Sequence, residues 1–115
     1  MKIQLQQQSV RLRIDEAELA HLLGGDVLRS VTSFGPAGGF SLALQLQDDS
    51  HPALMAEGGG YLLKLPREGV LALAARLPSR DGVAWDVPAG MQVLHVEFDV
   101  DVRDSIRQRG VARRA

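Results

Sequence analysis

The stretch Val10-Arg11-Leu12-Arg13-Ile14-Asp15-Glu16-Ala17-Glu18-Leu19 decides the fold, because a strand pattern changes into a helix pattern within it. Its first five residues alternate apolar and polar, which is typical of a strand with one buried face. Asp15 is a favourable N-cap, and the carboxylate of Glu18, three residues later, can reach back to the Asp15 N–H. We therefore predict a strand that ends at this cap and a helix over residues 16–23, stopped by Gly24-Gly25.

Strand patterns surround this helix, and a second helix follows in the other half of the chain. Pro66 can open that helix because its missing N–H is not needed in the first turn, and its apolar stripe runs from Val70 to Leu77. Three hairpins and a closing pair of strands are predicted from alternating runs separated by turn residues. The runs are Ile3–Gln7 with Val10–Ile14, Val27–Phe34 with Phe40–Gln47, Ala53–Ala56 with Tyr61–Leu65, and Val83–Val87 with Met91–Val102.

The change from strand to helix occurs twice, at one constant offset along the chain. Leu12-Arg13-Ile14 before the first helix matches Leu63-Lys64-Leu65 before the second. Each is preceded by one strand-like run and followed by two more, which indicates an internal duplication of a β-β-α-β-β unit. The predicted fold class is α+β: antiparallel sheet or sheets, or a partly closed small barrel, built from two such units with two short helices. Sheet order stays open, since the units can pair within or across the two halves.

Composition predicts a single soluble domain. The chain has 115 residues, is 45% hydrophobic and carries a net charge of −1, so we expect one α+β domain over residues 1–102. The absence of cysteine excludes disulfides, thiol nucleophiles and thiolate metal sites. The longest apolar run, Val70 to Ala75, is far too short for a membrane span, and the first residues alternate apolar and polar unlike a signal peptide. We therefore expect a cytoplasmic protein with no membrane association.

Residues 103–115 form an arginine-rich tail, which we expect to be mobile. The candidate contacts to nucleic acid or to a partner are Arg107, Arg109, Arg113 and Arg114. Guanidinium groups pair with phosphate, but the near-neutral charge and 4% aromatic content argue against a dedicated nucleic-acid binder. A solubilising tail is the favoured interpretation, and folding back onto the acidic body of the chain is an alternative.

One strand carries the most suggestive set of polar side chains. In a strand over this segment, alternate residues share a face, so His95, Glu97, Asp99 and Asp101 lie together while Val96 and its apolar neighbours lie opposite. Imidazole and carboxylates are ligands for a divalent cation, so these four residues are the candidate metal site. The favoured interpretation is a solvated strand face whose acids pair with arginine or lysine from a neighbouring strand.

Several short segments form a recognisable set: Lys2–Leu5 with Ser9–Arg13 entering Glu16–Leu19, Thr32–Gly35, Leu63–Pro66 and Leu94–Asp99. Together they resemble a family of small uncharacterised bacterial proteins that is grouped only as a domain of unknown function. The resemblance spans about residues 2–100 and implies a single bacterial cytoplasmic domain. Gln7-Gln8 stands where the family tends to have Gly-Asn, and the family's usual cysteine is absent, so a thiol-dependent role is excluded. The resemblance implies no activity, ligand or catalytic residue.

These observations predict a non-enzymatic binding or interaction module that needs no cofactor. It contains no complete catalytic motif and no phosphate-binding loop. We expect a protein partner or self-association, through an exposed sheet edge or the region of Trp85, which is interpreted as a core residue or an interface anchor. The alternatives are a small metal-dependent protein or enzyme that uses the candidate metal site, and a regulator that contacts nucleic acid through the tail.

Overall fold

The computed structural model describes residues 1–102, and the predicted hairpins and helices are all present there. The strands are β1 (Lys2–Gln6), β2 (Ser9–Asp15), β3 (Leu28–Ser33), β4 (Gly39–Gln47), β5 (Ala53–Glu57), β6 (Gly60–Pro66), β7 (Val83–Ala89) and β8 (Gln92–Asp101). The helices are α1 (Glu16–Leu23) and α2 (Arg67–Ala75), and a single 3-10 turn covers Gly35–Ala37. Among these residues, no helix has the length and apolar character needed to cross a membrane.

The strands form two four-stranded sheets, which we call sheet A and sheet B. Sheet A has the order β1-β2-β8-β7, and sheet B has the order β3-β4-β6-β5. Each sheet consists of two antiparallel hairpins joined at its centre by a parallel pair, β2 with β8 and β4 with β6. The α+β class is therefore confirmed, with sheets that are mixed at the centre, and within residues 1–102 neither sheet closes into a barrel.

The two units predicted from the sequence exchange hairpins. The first unit contains β1, β2, α1, β3 and β4, and the second contains β5, β6, α2, β7 and β8. Each unit gives one hairpin to sheet A and the other to sheet B, so that both sheets are shared. The registers repeat as well: Lys2 faces Arg13 in the first unit as Ala53 faces Lys64 in the second. The structure therefore has the internal pseudo-symmetry that the repeated pattern predicts.

A capping box fixes the start of α1, as expected. The Asp15 carboxylate accepts a hydrogen bond from the Glu18 backbone N–H at 2.7 Å, and the Asp15 N–H donates to the Glu18 carboxylate at 3.1 Å. These two bonds satisfy N–H groups that a helix start leaves unpaired. At the start of α2 the N-cap is Pro66, which makes no side-chain cap. The duplication therefore preserves the helix but not its capping chemistry.

One hydrophobic core holds both sheets and both helices together. Leu19 and Leu22 from α1 and Val70 and Leu73 from α2 contact the inner faces of the sheets, and Phe98 is fully buried on β8. The remaining buried members of the core are Leu12, Ile14, Leu42, Leu44, Leu46, Leu63, Leu65, Val87, Val96 and Val100. Since this core draws on both units, neither unit can bury its apolar face alone.

We expect Asp15→Ala to lower the free energy of unfolding by about 1 kcal/mol, because the first turn of α1 loses its cap. Urea unfolding followed by far-ultraviolet circular dichroism measures the change. Asp15→Asn is the matched control, since asparagine caps helices about as well as aspartate. An equal loss in both variants would show that the charge of Asp15, and not its cap, is what matters.

Candidate functional site

The strand that carries the candidate metal ligands has the alternation predicted for it. Val96, Phe98 and Val100 are buried in the core, while His95 and Glu97 are exposed on the outer face of sheet A. Asp99 and Asp101 are partly buried in the same row. The row is therefore a wet strand face, with its side chains on the side of sheet A that faces away from the core.

Ion pairs across the central parallel strands engage part of this row. Arg11 on β2 places Nη2 3.0 Å from Oδ2 of Asp99, and Arg13 places Nε 3.2 Å from Oδ1 of the same carboxylate. The hydrogen bond and charge of Asp99 raise the pKa of the Arg11 guanidinium, with a further contribution from the charge of Glu97. On the other side of β8, Nδ1 of His95 lies 2.6 Å from Oδ1 of Asp86. Asp99 is thus paired with arginine from the neighbouring strand, as the favoured interpretation expects.

The same arrangement does not favour a metal centre. Within residues 1–102, no three histidine or carboxylate side chains are grouped closely enough to hold a metal ion. His95, Glu97, Asp99 and Asp101 follow one another along a single strand, so their carboxylates and imidazole are spread out and do not converge. The metal site stays a prediction, and the four tail arginines, Arg107, Arg109, Arg113 and Arg114, lie outside the residues that the structure describes.

A cleft of about 750 Å³ lies between an edge of each sheet, and its floor and walls were not predicted from the sequence. Five consecutive residues of the N-terminal segment, 1–5, line one side of it. Since neighbouring residues of a strand point to opposite faces, a lining of consecutive residues means that the open edge of β1 faces the cleft. The opposite side comes from β3 and its surroundings, through Ser30, Thr32, Phe34 and Phe40.

The cleft combines apolar and basic surface. Leu5 is 60% exposed and Phe34 is 56% exposed, so two large apolar side chains beside it are more than half exposed. Lys2, Arg11 and Arg13 line it as well. Among the described residues that line the cleft there is no aspartate or glutamate. The side chains of Arg11 and Arg13 are 47% and 40% exposed, even though both contact Asp99. A ligand with an apolar part and a negative charge is complementary to this lining.

The second unit carries a large ring at the position that matches Ser30. Ser30 faces Leu42 across sheet B, and the matching position in the second unit is Trp85, which faces Val96 across sheet A. The ring of Trp85 packs against α2 so closely that a Cβ placed on Gly69 would lie 2.7 Å from Cζ2. Trp85 is partly buried, so its predicted packing role is observed in the structure, whereas its proposed role at an interface stays a prediction.

The alternation of Val10–Ile14 puts Arg11 and Arg13 on the face opposite the buried one, but it does not locate the cleft. The available signal was the substitution of small polar residues for large apolar ones between the two copies. Ser30 stands where the second copy has Trp85, and Thr32 stands where it has Val87. That comparison becomes reliable only once the registers of the two sheets are known, because the offset between the units changes at the loops.

Comparison with known proteins adds no identification: no family model, no curated protein and no solved structure matches the chain. The resemblance to a bacterial family of unknown function therefore stays a prediction.

We expect no one-to-one uptake of Zn²⁺ or Mn²⁺ by the protein, because arginine already occupies Asp99 and the row does not converge. Isothermal titration calorimetry of the chelator-treated chain measures this directly. His95→Ala serves as the control for weak binding to an exposed imidazole. One bound ion per chain that disappears in Glu97→Gln would restore the metal interpretation.

Proposed function

We propose that this protein is a non-enzymatic binding module and that the cleft between β1 and β3 is its binding site. The observation that carries the proposal is the open, basic and apolar lining of this cleft, set against the packing of Trp85 at the matching position of the second unit. The two units therefore differ at this position, because Trp85 fills the space in the second unit and Ser30 leaves it open in the first. Binding is the role that such a concave, mixed surface supports best.

The chemistry of the lining defines the partner in general terms. Phe34, Phe40 and Leu5 supply apolar contact area, while Lys2 and the two arginines supply positive charge. Arginine is suited to carboxylate groups because its planar guanidinium forms two parallel hydrogen bonds with them. The partner therefore combines an apolar part with acid groups, and the compartment that we propose for this binding is the cytoplasm.

Charge arrangement also supports binding over catalysis at this site. The cleft is lined by cations, hydroxyls, an amide and hydrocarbon, and among the described residues that line it there is no histidine or carboxylate. General acid–base chemistry near neutral pH depends mainly on such groups. Lys2 is the single amine side chain in the described lining, and it stands on the exposed face of β1.

Anilinonaphthalene sulfonate is a suitable probe for this proposal, because it joins an aromatic body to an anionic group. We expect its fluorescence to increase with saturation in the presence of the wild-type chain, and to increase far less with Ser30→Phe. The new ring would occupy the cleft much as Trp85 occupies the matching position. A fluorescence titration at fixed protein concentration measures both.

Ala84→Phe is the matched control for that experiment, since it adds the same ring on the exposed outer side of β7. Thermal unfolding of both variants checks that the fold is retained. Equal fluorescence increases for the wild-type chain and Ser30→Phe would place the probe elsewhere and contradict the cleft as the binding site.

A further inference from the structure

We propose that the cleft takes an extended acidic peptide, which adds as an antiparallel strand to the free edge of β1. This inference rests on the proposed function and names the partner of the same site. It follows from three features of the described residues: the free backbone edge, the uncovered apolar side chains beside it, and the positive charge of the cleft.

The backbone of β1 is available for pairing. Gln6 and Ser9 flank the two-residue turn Gln7-Gln8 and are the first hydrogen-bonded pair of the hairpin. From this pair onward, non-hydrogen-bonded and hydrogen-bonded pairs alternate along the two strands. The N–H and C=O groups of Ile3 and Leu5 therefore point away from β2, toward the cleft. A strand laid against this edge can form a pair of hydrogen bonds with each of these two residues.

The other edge of sheet A carries a proline at an outward position, and β1 does not. Pro88 of β7 lies opposite Val93, one position before the pair that flanks the Gly90-Met91 turn. The same alternation makes this a non-hydrogen-bonded pair, so the backbone nitrogen of Pro88 points away from β8. Proline has no N–H to donate, and it is a common means of blocking an exposed strand edge. At the matching outward positions β1 has Ile3 and Leu5, which keep their donors.

Side chains on the two faces of β1 determine which peptide fits. Ile3 and Leu5 lie on the inner face, on the same side as Leu12, and a partner residue opposite them would contact Phe34 and Phe40. Lys2 and Gln4 lie on the outer face with Arg11 and Arg13 one strand further in. An added strand that alternates apolar and acidic residues therefore places hydrocarbon inside and carboxylates beside the cations.

Charge also decides against the tail of this chain as the occupant. Residues 103–115 contain five arginines and one acid, so they carry the same sign of charge as Lys2, Arg11 and Arg13. Like charges at close range disfavour binding, and opposite charges favour it. An extended acidic segment of another protein can pair with the edge of β1 and carries the charge opposite to that of the cleft.

The test uses the full chain and the fluorescein-labelled peptide Glu-Val-Glu-Phe-Glu-Val-Glu, with fluorescence anisotropy as the readout. We expect saturable binding that weakens as salt is raised, and no binding of the matching Lys-Val-Lys-Phe-Lys-Val-Lys peptide. N-methylation of the valine and phenylalanine residues should abolish binding, because their N–H groups face β1. N-methylation of the glutamates should leave pairing with β1 intact, because those N–H groups point away from β1.

Leu5→Pro tests the protein side of the same contact. It removes one outward N–H without removing a hydrogen bond of the hairpin, and we expect it to weaken binding of the acidic peptide about tenfold or more. Ala56→Pro is the matched control, because Ala56 faces Tyr61 in β5 as Leu5 faces Val10 in β1. That control should bind the peptide as the wild-type chain does, and Leu5→Val separates the loss of the N–H from the loss of the leucine side chain.

The possible outcomes separate this inference from the proposed function. Binding of the sulfonate probe in the cleft, with no difference between the two methylated peptides, would overturn strand addition and leave the binding module intact. If neither the sulfonate probe nor the acidic peptide binds, both the proposed binding site and the addition of a strand to β1 are overturned. A wild-type dimer in sedimentation velocity that becomes monomeric in Leu5→Pro would show that a second copy of the chain occupies the edge, which also overturns the inference.

Discussion

The parallel pairing of β2 with β8, repeated by β4 with β6, is the interaction on which the rest of the structure depends. Each of these pairs joins a hairpin of the first unit to a hairpin of the second, so the two sheets exist only because the units exchange strands. The helices then pass from one sheet to the other and fill the space between them with Leu22, Leu73 and their neighbours. A local sequence pattern, repeated once, in this way produces a core that belongs to neither unit alone.

Much of this could be predicted from the sequence because it is locally encoded. The capping box at Asp15 and Glu18 fixed the start of α1, and the alternation of β8 placed Phe98 inside and His95 outside. The exchange of hairpins could not be predicted, since pairing between distant strands depends on which registers bury the most apolar surface. The cleft was missed for the same reason. Arg11 was correctly placed on a wet face, but nothing near it in the sequence indicates that β3 lies across from β1.

The outer face of sheet A has two interpretations, a metal site and a solvated face whose acids pair with arginine, and the neighbours of the acids distinguish them. The row of His95, Glu97 and Asp99 offers ligand types that suit a cation, yet Arg11 and Arg13 of β2 both contact Asp99. The guanidinium groups of these ion pairs are nearly half exposed, so the pairs contribute modestly to stability. The ion pairs instead hold the guanidinium groups of Arg11 and Arg13 beside the cleft. Each guanidinium keeps N–H donors that Asp99 does not use.

The pseudo-symmetry has a consequence for how such a protein can specialise. Two separate copies of one β-β-α-β-β unit, paired by the same exchange, would carry two identical clefts, and any residue that filled one would fill the other. In a single chain the copies are free to differ, so Trp85 can stabilise one half while Ser30 leaves the other half open. Covalent connection of the units thus separates two demands, tight packing and an accessible surface, that a symmetric pair would have to meet with the same residue.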